Sequence, residues 1–500
     1  MKCVFAAAFI AGAAPSAAQL PRLDPDTAAW WATTAQLSND AMEGRDTGSA
    51  AYERAARLVA SKFQEAGLRP AGENGTWFQR VPMHETAITS ARLSAGGRPL
   101  RFLHDLTVSP APGIPASIDL PLAYGGYCAP QALREVNGRI VICHGTHRAG
   151  FPSAAQREAA VRSAGAAGMM TIADPGFTVE PPRWPYAYAR TVTLATDPAR
   201  NDAFLRMTLN AASLRKLLSG SGRNAEALIA AGSGGRVLPS FGLAARLKGN
   251  FILRERDIAS PNVVGFLPGS DPALANQVIV LSAHLDGYGY GEPVNGDRIY
   301  NGTLDDAAYV ALLIRLAQRQ HGKPFRRPIL LLAVTGEEKG LLGSRWFVQH
   351  MTLPKSRIAA DINLDQLRPI FPLELLTVHA LDETTLGDDS RTVARKLGFE
   401  VQRDPEPERN LLQRSDQWPF IQAGIPATAF VFGYRPGSRS EQIYRRWYRT
   451  GYHKPQDDLN QPIDWKAAAD FNRFFYALVD RVANEGAAPA WMPGSTLKPH

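Results

Sequence analysis

Three apolar runs, each ending in ionisable residues, constrain this chain more than any other feature. The first, Val278 to Leu281, is β-branched and unbroken, as expected of a strand buried on both faces, and it ends in Ser282, Ala283, His284, Leu285 and Asp286. The second, Ile329 to Val334, leads through Thr335 and Gly336 to Glu337 and Glu338. The third, Ile358 to Leu364, delivers Asp365. Open α/β sheets bind their ligands at the carboxyl ends of their strands, so these three ends mark a candidate site.

The residue types at these ends suit a hard or borderline metal. His284 and Asp286 are two apart, so on an extended backbone they point the same way, and the aspartate can hold the imidazole in the tautomer a metal requires. A Gly/Asn-rich loop then leads to Asp305 and Asp306, followed by Val310, Leu312, Leu313 and Leu316 at helical spacing. Glu337 and Glu338 directly follow a buried strand, where two carboxylates are costly to desolvate without a cation. Adjacent side chains diverge, so Glu338 can ligate while Glu337 faces a bound water as a base. The plainer reading is a solvated pair at a helix start. His453 lies in a turn-prone loop between Gly451 and Pro455. His284, Asp305, Glu338, Asp365 and His453 together form an inventory that suits two zinc-like ions sharing one carboxylate and one water.

At 500 residues the chain exceeds one ordinary domain, and its hydrophobic content of 45% supports a sizeable core. The formal charge of +8 comes from scattered lysines and arginines. With no zinc finger, aromatic ribonucleoprotein motif or basic tail, it does not argue for nucleic acid. Lys2, the apolar stretch Val4 to Ala14, and Pro15 to Gln19 follow the order of a secretory signal cut after Ala18. No segment reaches the length of a membrane span, and Cys3 is misplaced for a lipoprotein anchor. Cys128 and Cys143 are left in the mature chain, either as a disulfide or as two separate buried thiols.

The chain divides into a signal peptide (1–18), an N-terminal part (19–109), an insert (110–240) and the main catalytic part (241–500). In the insert Ala, Gly and Pro become dense, carboxylates thin out, and strands at 139–143 and 168–173 flank an Ala-rich helix. From Pro261 onward, strand-like runs at 278–281, 329–334, 358–364, 375–378 and 427–432 alternate with helices. The predicted fold is α/β: a mainly parallel mixed sheet sandwiched by helices, with an inserted β-rich domain.

Taken in order, the motifs resemble those of the M28 metallopeptidases: His284-Leu-Asp286, Asn301-Gly302 with Asp305-Asp306, Gly336-Glu337-Glu338 with Gly340-Leu-Leu-Gly343-Ser344, Asn363-Leu-Asp365, Ser415-Asp416 with Pro419-Phe420, and Tyr452-His453. Met42-Glu43-Gly44-Arg45 also resembles the lead-in of bacterial members. The resemblance implies a zinc-exopeptidase-like fold, two Zn2+ ions, a peptide substrate, and an insert of the protease-associated type. It implies Asp305 as the bridging ligand, His284 and Asp365 at one metal, and Glu338 and His453 at the other. Glu337 would be the general base, Asp286 would orient His284, and Tyr452 would stabilise the oxyanion. Where many members read Asp-Asp-Asn-Ala-Ser-Gly the chain reads Asp305, Asp306, Ala307, Ala308, Tyr309, so a bulky tyrosine replaces a small residue, and the Ser-Asp-His-Tyr pattern reads Ser415, Asp416, Gln417, Trp418.

The expected function is a secreted or periplasmic aminopeptidase. A carboxypeptidase or dipeptidase on the same fold is the alternative, with Asp416 and Glu441 as candidate partners for a substrate amine and Arg414 and Arg435 for a carboxylate. A binding protein that had lost the chemistry would not keep Glu337 and all five ligands, and a one-metal glutaminyl cyclase would not need the full set. Trp418, Phe420, Phe432 and Tyr434 are candidates for an apolar pocket or for core.

Overall fold

The computed structural model describes residues 23–146, 148–175, 184–198, 202–365 and 367–499; the expected signal peptide lies outside them. Helix Pro25–Ser38 is capped by the Asp24 carboxylate and helix Ala50–Glu65 by the Ser49 hydroxyl, each accepting orphan backbone N–H groups of the first turn. The second buries a stripe of Tyr52, Ala56, Val59 and Phe63 against the sheet, while Trp30 of the first donates its indole N–H to the Ala308 carbonyl at 2.6 Å. No helix among the described residues is long and apolar enough to cross a membrane.

The three sequence-predicted strands are adjacent and parallel. Val278–His284 lies between Ile329–Val334 and Ile358–Asn363, and Ala427–Thr428 extends the sheet beyond the latter. The three long strands are buried almost throughout, which accounts for their unbroken apolar sequences. Their parallel direction brings His284, Glu337 and Asp365 to one edge. Helix Ala308–Arg319 packs beneath it and the long helix Trp465–Asn484 joins the same core.

Two predicted strands are placed differently. Leu375–Val378 pairs with Glu400–Gln402 and Phe430–Phe432 in a separate three-stranded sheet. The run 427–432 is therefore split at Ala429, whose carbonyl accepts the His379 N–H, and its halves belong to different sheets. A short apolar run carries no periodicity that would reveal such a break.

The main sheet does not end with these parallel strands. Phe241–Leu267 runs antiparallel to Ile329–Val334 at one end, and along its length pairs with Phe78–Ala95 from Val263 opposite Phe78 to Leu247 opposite Ala95. This ribbon leads into a second core, centred on Ile88, Leu93, Leu122, Ile140, Met170, Leu205, Leu247 and Phe251. There Ile140–His144, Gly168–Ala173 and Leu205–Asn210 lie parallel, with helix Ala154–Ser163 held by a Ser153/Gln156 capping box. Cys128 and Cys143 are joined by a disulfide inside a further apolar cluster of this region. Where the two bodies meet, the fully buried carboxylate of Glu85 is ringed by Arg190, Arg254 and Arg256.

The disulfide closes a loop of sequence separation 15, for which chain entropy gives about 3 kcal/mol. Replacing both cysteines by serine should lower the denaturation free energy, read by urea denaturation, by up to about that amount.

Candidate active site

His284 is the last residue of its strand, and its backbone N–H donates to Asp306 Oδ2 at 3.1 Å. Its Nδ1 lies 3.1 Å from the carbonyl oxygen of Asp286 but 3.8 Å from that residue's carboxylate. The orienting partner is thus the Asp286 backbone and not, as the spacing suggests, its side chain. The carboxylate instead accepts the N–H groups of Glu337 (3.1 Å) and Glu338 (3.4 Å) and the Thr47 hydroxyl (2.9 Å). Asp286 therefore fixes the turn that carries both glutamates.

The five predicted ligands converge as two triads. His284, Asp305 and Asp365 form one, and Asp305, Glu338 and His453 the other, with the ligand atoms of each within 4.8 Å of one another. Asp305 belongs to both: its Oδ1 is 3.3 Å from His284 Nε2, and its Oδ2 is 3.5 Å from His453 Nε2. His453 Nε2 is also 3.7 Å from Glu338 Oε2, and His284 Nε2 is 3.9 Å from Asp365 Oδ1. Asp305 Oδ2 is buried and has charged neighbours but no hydrogen-bond partner of good geometry. Two imidazoles and three carboxylates with one shared acid suit a pair of zinc ions, so the residues present fit the implied metal. Glu337 also lies within reach of His284 and Glu338.

Electrostatics follow from this crowding. Burial, with Glu338 and Asp365 nearby, raises the Glu337 carboxyl well above its ordinary range, and burial with Asp305 nearby raises Glu338 to about 7. Burial acts to raise Asp305 too, but the Arg368 guanidinium and the two imidazoles overcome it and hold this acid below the usual carboxylate range.

The triads open into a cavity of about 370 Å³, lined among others by Tyr188, Tyr288, Leu341, Arg414 and Tyr452. Tyr452 stacks on His453 with ring centroids 3.6 Å apart, and Tyr288 meets the same imidazole edge-on at 4.5 Å. Tyr188, from the segment 110–240, stacks on Tyr288, while Lys339 donates to the Ala187 carbonyl at 3.0 Å, so that segment forms one wall. Of the residues considered for the substrate's termini, Arg414 lines this cavity. Asp416 is buried beneath the site, bonded to the Ser344 hydroxyl and raised by burial to about 7. Glu441 pairs with Arg445 at 2.7 Å and Arg435 with Glu400 at 2.9 Å, and neither pair lines the cavity.

The departures from the family pattern lie away from the cavity lining. Tyr309 is buried edge-on against Phe471 in the main core. Gln417 is buried and bridges Asn363 Nδ2 (3.0 Å) to the Leu412 carbonyl (2.7 Å), while Trp418 packs against the core under the sheet. Phe420, Phe432 and Tyr434 are core residues.

Three residues important to this geometry carried no signal in the spacing. Asp457 accepts the backbone N–H groups of Leu304 (2.9 Å) and Asp305 (3.1 Å), fixing the residue common to both triads. Arg45 is fully buried and donates to the carbonyls of Leu37, Leu285, Asn301 and Gly302, tying the strand end to the ligand loop. Arg368 stands beside Asp305. Only Arg45 lay in a stretch the sequence singled out.

Residues 262–479 match the model of peptidase family M28. This part of the chain belongs to peptidase family M28. The chain is 27% identical over 188 residues to Aminopeptidase YwaD of Bacillus subtilis, a match covering 36% of each chain. It is 28% identical over 211 residues to the probable leucine aminopeptidase 2 of Aspergillus oryzae, covering 40% of each. These matches thus span well under half the length of the curated relatives. The likeness in fold extends further: the structure of BSAP, a zinc aminopeptidase from Bacillus subtilis, superposes with a TM-score of 0.60 at 18% identity, covering 93% of this chain and 97% of that one.

Burial raises the Asp457 carboxyl from 3.8 to about 6. The folded state therefore holds this proton more tightly than the unfolded chain, and stability falls as pH rises through that window. In chelator-treated protein, Asp457→Asn, which cannot ionise, should gain on wild type by roughly 3 kcal/mol between about pH 4 and about pH 7, measured by urea denaturation.

Proposed function

We propose that this protein is a secreted or periplasmic di-zinc aminopeptidase. The observation that carries the reading is the pair of ligand triads sharing Asp305, with Glu337 beside them. When bound, the ions supply Lewis acidity toward a water and a scissile carbonyl. Glu337, beside both triads, takes the water's proton and passes it to the leaving amine. Asp286 holds the Glu337 backbone in place, and Tyr452, at the cavity wall, donates its hydroxyl toward the developing oxyanion. The disulfide is in keeping with an oxidising compartment, and hence with export by the N-terminal signal. The insert, read as a protease-associated domain, contributes Tyr188 to the substrate wall.

A second reading has an observation of its own. Arg414 lines the cavity and suits a substrate carboxylate, as a carboxypeptidase or dipeptidase would require. A peptide panel with free and N-acetylated ends, digested by the zinc-loaded protein and followed by mass spectrometry, separates the two. Stepwise loss from free N-termini alone supports the aminopeptidase; loss from the C-terminus replaces it.

Glu337→Gln should lower kcat by about 10²- to 10⁴-fold while zinc per chain stays at the wild-type level. Asp305→Ala should lose zinc and activity together, since it removes a ligand from both triads. Zinc loss in the Glu337 variant would contradict the assignment of the base.

A further inference from the structure

Arg368 is a charged side chain that the scheme above leaves unused. It is fully buried, three residues beyond Asp365 in the chain. Its Nη1 donates to the carbonyls of Leu304 at 3.0 Å and Leu367 at 2.9 Å, and the guanidinium lies over the Trp447 ring at 4.8 Å. These contacts aim Nη2 at Asp305 Oδ2, 3.2 Å away.

The two oxygens of Asp305 serve different triads. Oδ1 faces His284, and Oδ2 faces His453, which in turn lies next to Glu338. A guanidinium keeps its charge throughout the range in which proteins fold, and burial reduces its screening. An oxygen already facing one cation binds a second less strongly, and the two cations repel. The asymmetry is therefore built into the shared ligand.

We propose that Arg368 makes the two metal positions unequal, weakening the one formed by Asp305 Oδ2, Glu338 and His453 relative to the one formed by His284, Asp305 Oδ1 and Asp365. The inference rests on the two-ion reading. Arg368 touches no reacting atom in this scheme and acts through Asp305 as a positioning residue, and it gives the shared carboxylate a partner before any ion arrives.

Chelator-treated full-length protein is titrated with Zn2+ in a competing-chelator buffer, and zinc per chain is read by elemental analysis. Wild type should fill in two steps separated by about 10- to 100-fold in affinity, the usual reach of a group contacting a ligand. His453→Ala should erase the weaker step and Asp365→Asn the tighter one. Arg368→Met should tighten the weaker step by about tenfold or more, whereas Arg368→Lys, which keeps the charge, should preserve a gap. Two zinc ions with an unchanged gap in Arg368→Met overturn this inference alone; a wild-type capacity of one zinc removes the two-ion reading and this inference with it. If Arg368→Met does not fold, the step assignments decide: loss of the tighter step in His453→Ala overturns the proposal.

Discussion

Buried carboxylates repel one another and resist desolvation, and this constraint organises the molecule. Asp286, Asp305, Asp306, Glu337, Glu338, Asp365, Asp416 and Asp457 gather around two imidazoles at the edge of the sheet. Backbone N–H groups, hydroxyls and a few buried cations offset part of the cost. Asp286 takes two peptide donors and Thr47, Asp457 takes two more, Asp306 takes the His284 amide, and Arg368 faces Asp305. What these do not neutralise is the charge that divalent ions would.

The same interactions set geometry. Parallel strands bring His284, Glu337 and Asp365 to one edge, but Asp305 arrives on the irregular turn Thr303–Ala307, and such a turn needs ties. Arg45 supplies them from the N-terminal segment and Asp457 from the segment after His453, so residues hundreds of positions apart hold one aspartate still. The segment 110–240 reaches the glutamate turn as well. Arg190 pairs with Asp46 and donates to the Thr47 carbonyl, Thr47 bonds Asp286, and Asp286 holds Glu337.

Strands at 278, 329 and 358 were legible because burial on both faces demands unbroken apolar sequence, and the gathering of ionisable residues at their ends was legible because charges there are otherwise costly. The split of 427–432 was not, since a two-residue strand and a three-residue strand leave one apolar run. Nor were Asp457 and Arg368, whose partners are backbone groups or a carboxylate brought close only by folding. Spacing suggested the Asp286 side chain as the partner of His284, but period two fixes only direction. The turn after residue 336 presents peptide N–H groups that claim that carboxylate first.

The paired strands 78–95 and 241–267 pass from one core into the other as a continuous ladder, shifted in register once, after Ile252. A hinge needs a place where few hydrogen bonds must break, and a two-stranded ladder of this length offers little room for one. The two bodies are splinted: turning one against the other means twisting a ladder of backbone hydrogen bonds. The gap between Tyr188 and the glutamate turn is thus a dimension held by the backbone, like the span of a caliper whose jaws were cast in one piece.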